Sequence, residues 1–145
     1  MQIEPLTLHP EFIDILRLTY WNEWKESLMK EYNITEYSEY RLELNGTFYI
    51  AYQYIDNKKV LIGSIAFVDC DLYTHKHIKN WIGYVYVYPE FRKQGISSRL
   101  LNFIIDKYKN ITLTLWCEHR LKGVYEKHGF KIIETLPEIY IMEKK

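Results

Sequence analysis

Apolar positions along the chain follow two rhythms. From Pro10 onward, Ile13, Leu16, Tyr20, Trp24 and Leu28 recur at helical spacing, which predicts an amphipathic helix with proline at its start. A second, shorter helix is predicted over residues 35 to 44, stopping before Asn45-Gly46. The segments "TFYIAYQY" and "VLIGSIAFV" read as strands joined by the polar turn Asp56-Asn57-Lys58-Lys59. A polar loop from Asp69 to Asn80 leads to the strand "WIGYVYVY". Helical spacing returns after Gly95, with Ile96, Leu100, Phe103 and Ile104 on one stripe. "ITLTLW" then alternates as a strand, and Leu121, Val124, Tyr125 and His128 mark one face of a short helix that Gly129 ends. "FKIIE" and "IYIMEK" close the chain as strands. Residues 2 to 8 predict a further strand, which Pro5 confines to an edge or a bulge. The order β, α, α, β, β, β, α, β, α, β, β predicts an α/β layered fold around a mixed sheet.

Composition narrows the picture. At 145 residues and 48% hydrophobic, the chain suits one domain, residues 1–145, with a full core. Lysine plus arginine and aspartate plus glutamate number 19 each, so no basic excess points to nucleic acid. Cys70 and Cys117 have no C-x-x-C spacing, and a reduced, cytoplasmic setting is expected. The start "MQIEPLTLHPEF" lacks the basic and apolar regions of a signal peptide, and no apolar run reaches the ~18 residues of a membrane helix. No membrane partner is therefore expected. Fourteen tyrosines fit strand propensity and half-buried packing.

The stretch "YVYVYPEFRKQGISSRLL" carries the chemistry. Arg92, Lys93, Gln94 and Gly95 stand where strand gives way to helix. A helix start exposes unpaired N–H groups and a partial positive charge, so added cations and a missing side chain suit a phosphate. This stretch resembles the acetyl-CoA signature Q/R-x-x-G-x-G/A of the GNAT N-acetyltransferase superfamily. "LTLWCEHRLKGVYEKHGFKIIE" is similar to the strand and helix that end in that family's Y-E-K-x-G-F. Two departures stand out: Ser97 replaces the last glycine or alanine, and Glu118 stands where many members have a cofactor-binding asparagine.

The resemblance implies a GNAT-like mixed sheet of six to seven strands flanked by about four helices. It also implies an acyltransferase that moves an acetyl group from acetyl-CoA to an amine by direct transfer in a ternary complex. Backbone N–H groups over Lys93, Gln94, Gly95, Ile96, Ser97 and Ser98 would hold the pyrophosphate, with charge from Arg92 and Lys93. The backbone of Val85, Tyr86 and Val87 would pair with pantetheine and polarise the thioester carbonyl. Tyr125 occupies the position of the family's general acid. The strand "WIGYVYV" has no carboxylate where many members carry the base, and Asp69 and Asp71 are the nearest in sequence, with Asp71 the candidate. "CDLYTHKH" fits no compact zinc pattern, so no metal is expected. The acceptor, a small-molecule or peptide amine, stays open, as does a homodimer, an assembly common in the family. A non-catalytic CoA-binding or sensing module on the same fold is the alternative, since fold alone does not guarantee activity. A tyrosine-rich protein-interaction domain is a further one.

Overall fold

The computed structural model describes residues 1–42 and 46–145. Strand β1 (Gln2–Pro5) precedes helix α1 (Ile13–Tyr32) and the hairpin of β2 (Gly46–Ile55) and β3 (Lys58–Val68). Next come β4 (Trp81–Val87), α2 (Ile96–Lys107), β5 (Leu113–Glu118) and the short α3 (Lys122–Glu126). Then β6 (Lys131–Thr135) and β7 (Ile139–Lys144) follow. The seven strands form one sheet in the order β1-β2-β3-β4-β5-β7-β6. Every neighbouring pair is antiparallel except β4 and β5, which α2 connects as a parallel crossover. The architecture is the mixed α/β sheet that the sequence predicts, with three α-helices among the described residues.

Alternation along the strands divides the core between the two faces of the sheet. Phe48, Ile50 and Tyr52 of β2 join Leu16, Tyr20 and Leu28 of α1 on one face. Tyr49 and Ala51 join Leu100, Leu101 and Ile104 of α2 on the other. The hairpin turn is tighter than expected: Asp56 and Asn57 both take positive φ (52° and 66°), the two-residue geometry that matches strand twist. Pro5 ends β1 at the edge of the sheet, and Leu6–Leu8 is a 3₁₀ turn rather than more strand.

The helix predicted over 35–44 is not an α-helix in its described part. Only Tyr37–Glu39 turns, as one 3₁₀ turn closed by the Glu36/Glu39 capping box; positions 43–45 lie outside the described residues. Arg17 of α1 holds the segment in this form. Its guanidinium donates to the carbonyl oxygens of Tyr37 (2.8 Å) and Tyr40, the acceptors that a continuing helix would need. The last expected helix is also narrower: α3 has five residues, and Val124 is exposed rather than on a buried face.

Strand β4 carries a bulge. Ser64 pairs with Tyr86 and Ala66 with Gly83, so Tyr84 and Val85 together oppose Ile65. Tyr84 has φ 55°, a costly conformation for a bulky residue. A buried chain of hydroxyls holds it: Tyr20 donates to Ser64 Oγ, and Ser64 donates to the Tyr84 carbonyl oxygen at 2.9 Å. Ser64→Ala removes the donor to a buried carbonyl, so it should lower unfolding free energy by about 1–3 kcal/mol in urea titrations. An unchanged midpoint would mean that the bulge stands without this bond.

Candidate active site

β4 and β5 share a single register pair, Trp81↔Thr114, next to the bond from Thr114 N–H to the Asn80 carbonyl. Beyond it they diverge, and a cavity of about 200 Å³ lies in the gap. Its lining residues come from both faces of the sheet. Val85, Cys117, Leu121 and Tyr125 belong to the side of α2 and α3, whereas Trp24, Leu28, Leu72, Tyr84 and Trp116 belong to the side of α1. Gly83 lies between them, so the gap reaches through the sheet.

Helix α1 reaches the gap by bending. Trp24 has non-helical backbone angles (φ −127°, ψ 27°), and its ring packs on Tyr20, Tyr84 and Tyr86. The half-helix after the bend brings Ser27, Leu28 and Glu31 to the cavity.

Asp71 meets the cavity from the loop after β3. Its carboxyl rests on Gly83, where an added Cβ would lie 2.7 Å from Asp71 Cγ and Oδ1. Only glycine leaves room for a carboxylate on this strand, and the loop supplies it where β4 itself has none. Trp116 steadies the loop, its indole N–H donating to the Asp71 carbonyl oxygen at 3.0 Å. Burial pushes the Asp71 carboxyl well above the usual carboxylate range, and the neighbouring charge of Glu31 pushes it the same way. Burial also raises Glu31, against the opposing pull of the Cys70 thiol and Lys76.

Other polar residues of the 69–80 loop go elsewhere. Asp69 pairs with Lys79 at the surface (3.1 Å). His75 bonds Glu134 at 2.9 Å and stacks on His77.

Tyr125 lines the opposite end of the cavity, half-buried on α3. Burial raises its phenol above the ordinary tyrosine value, and Cys117 nearby adds to the effect. A raised phenol keeps its proton at neutral pH.

The loop from Arg92 to Gly95 sits at the end of β4 on the same side. Lys93 (φ 64°) and Gly95 (φ 75°) both take left-handed angles, an alternation that turns successive N–H groups toward one concavity. Gly95 is the N-cap of α2, which has no side-chain cap and no acid in its first turn. Nothing lies within 4 Å of where a Gly95 Cβ would stand. The site is open, cationic and rich in unpaired donors, so a phosphate fits it.

The individual side chains divide their tasks. Lys93, Gln94 and Ser97 are exposed, and Ile96 is buried in the core and offers only backbone. Arg92 is partly engaged, its Nε donating to the Val87 carbonyl oxygen (2.8 Å) with the guanidinium over the Tyr86 ring. Ser98 Oγ meets His128 Nε2 at 3.2 Å, which ties the start of α2 to the end of α3. Val85, Tyr86 and Val87 are half-buried along the β4 edge beyond Trp81. Glu118 ends β5 at the cavity rim, bonded to Arg120.

Sequence reasoning did not place Glu31, Trp24 or Trp116 at a site; Trp24 stood only in the helical stripe. Glu31 had a signal: with Trp24 and Leu28 it occupies i, i+4 and i+7, so an acid stands on an apolar stripe.

The sequence model of the acetyltransferase (GNAT) family matches residues 10–130. Comparison with curated protein sequences finds no match. Among solved structures, an aminoglycoside 6'-N-acetyltransferase complexed with coenzyme A superposes with TM-score 0.69 at 17% identity, over 99% of this chain and 96% of that chain. The PaiA N-acetyltransferase of Thermoplasma acidophilum, in complex with coenzyme A, gives 0.60 at 24% identity, over 100% and 99%. An acyl-CoA N-acyltransferase from Pseudomonas aeruginosa gives 0.64 at 15%, over 99% and 97%. At these identities the likeness is one of fold.

The buried carboxyls set a pH dependence of stability. Folded Asp71 keeps its proton to higher pH than the unfolded chain does, so the folded state binds more protons above about pH 4. Stability should therefore be fullest below that pH and fall as pH rises toward the folded value. In Asp71→Asn the fall should be smaller, read from urea midpoints at acidic and neutral pH. Equal slopes for the two proteins would assign the effect to other groups.

Proposed function

The chain belongs to the acetyltransferase (GNAT) family, and from that premise we propose that it transfers an acetyl group from acetyl-CoA to an amine by direct attack in a ternary complex. The observation that carries this reading is the cavity through the sheet. Its lining is drawn from both faces of the sheet, which supports an approach of donor and acceptor from different sides to meet at the β4 edge. No covalent relay through the protein is needed.

The donor end is the face of α2 and α3. Arg92, Lys93 and the N–H groups from Lys93 to Ser98 bind the pyrophosphate of CoA, with Gly95 leaving room for its oxygens. The edge of β4 from Val85 to Val87 gives pantetheine a strand to pair with. A backbone N–H there stabilises the oxygen of the tetrahedral intermediate as negative charge develops. Tyr125 donates its proton to the departing thiolate.

The acceptor end is the face of α1. An alkylammonium must lose a proton before it attacks, and Asp71 takes it, directly or through water. A carboxyl raised by burial suits the task, because a general base works best with a pKa near the working pH. No helix among the described residues is long and apolar enough to cross a membrane.

Two variants test the two halves of the donor site. Saturating CoA at 100 times its dissociation constant should stabilise the protein by about 2.7 kcal/mol, read as a rise of several degrees in melting temperature. Ser97→Glu puts an anion in the exposed first turn of α2, a placement that favours the helix and repels phosphate. It should abolish the CoA shift while leaving the unliganded melting temperature unchanged or higher. A flat melting curve for the wild-type protein at millimolar CoA would overturn the donor assignment, enzyme and sensor alike.

Tyr125→Phe keeps the ring and removes the proton donor. Thiol release in an amine panel should fall by roughly ten- to a thousand-fold, with CoA stabilisation retained. Equal rates, with chemistry limiting, would remove Tyr125 from the mechanism. CoA binding without turnover of any amine would favour the sensing module.

A further inference from the structure

The acceptor end of the cavity has a charge pattern of its own. Its described lining contains three acids, Glu31, Asp71 and Glu118, and no lysine, arginine or histidine. Glu118 is answered at the rim by Arg120, at 2.8 Å. Glu31 and Asp71 have no such answer within the cavity; Lys76 bears on Glu31 only from the loop. Between the two acids and the rim the walls are apolar, made by Trp24, Leu28, Leu72 and Trp116. The buried hydroxyl of Tyr40 lies beside Tyr84 and within the field of the Asp71 carboxyl.

From this pattern we infer that the acceptor is a primary amine on an apolar body with no carboxylate beside the amine. The inference rests on the reading of this cavity as the acyl-transfer site. An ammonium set against Glu31 and Asp71 answers two partly buried acids at once, and indole faces favour a cation further. An α-amino acid would bring its own carboxylate into a space with two acids and no cation. That charge would be stripped of water and repelled, a cost the apolar walls cannot offset. The same feature that draws amines in therefore turns amino acids away.

The groove outside the cavity bears on what the body can carry. Ser27, Leu72, Trp116 and Glu118 are common to the cavity and to a wider groove of about 620 Å³, which His119, Arg120 and Glu138 complete. Mixed charge there accepts a polar tail of either sign, so the selection acts at the amine and not at the far end of the acceptor.

Phenethylamine and phenylalanine differ only in the carboxylate, and they test this without any need for turnover. Calorimetric titration of the full chain, with and without CoA, should give phenethylamine at least ten-fold tighter binding than phenylalanine. Glu31→Gln, whose melting temperature reports that it has folded, should cut the affinity for phenethylamine at least five-fold. Equal binding of the two ligands, absence of phenethylamine binding, or an unaltered affinity in Glu31→Gln would each overturn the inference. The melting shift with CoA is a separate readout. A protein that CoA stabilises but that fails this titration loses only the acceptor class. One that selects phenethylamine without any response to CoA keeps the amine site and loses the acyl-transfer reading.

Discussion

A strand edge in the middle of a sheet is a costly thing for a protein to keep. Backbone N–H and C=O groups must find partners when buried, and an unpaired edge is an open invitation to another strand. Here β4 keeps such an edge beyond Trp81, because β5 turns away after one register pair. The rest of the molecule is arranged around that gap. Helix α3 borders one side of it, the bent α1 and the 69–80 loop the other, and what remains is a cavity lined from both faces of the sheet. An extended, amide-bearing ligand laid along β4 would complete the ladder that the chain leaves unfinished.

Holding the edge in shape takes a second device. The bulge at Tyr84 and Val85 re-aims the strand where it borders the gap, and its left-handed tyrosine is stabilised by neighbours far away in sequence. Tyr20 and Ser64 anchor its carbonyl, while Trp24, Phe48 and Tyr20 pack around its ring. Backbone strain of this sort persists only where the surroundings over-determine it. The aromatic richness of the chain finds a use here, since several tyrosines are the packing that keeps β4 bent.

How much of this was legible in the sequence depended on how local its cause is. The stripe of α2 and the Arg92–Gly95 loop rest on neighbours within a few residues, and both could be read directly. The turn at Asp56-Asn57 was visible as a turn, its two-residue form less so. The expected second helix gives way to a single turn whose carbonyls Arg17, some twenty positions earlier, bonds; local propensity cannot register such a contact. Asp71 could be named as the nearest acid in sequence, yet its seat on Gly83 depends on a loop returning across the sheet. Glu31 and Trp116 gain their importance only from the tertiary meeting of α1 and β5. Sequence pattern reports faces and turns, and it reports distant encounters only when a residue looks out of place.

The seam between β4 and β5 is also a seam in the order of the chain. The ladders joining β1 through β4 all lie before residue 88, and those joining β5, β6 and β7 all lie after residue 112. Each block can therefore form its own pairings without waiting for the other. The parallel pairing across the seam is reduced to one register pair at its base. Separate assembly followed by docking makes the cleft a by-product of folding: two finished half-sheets meet at a corner, and the space they enclose needs no carving.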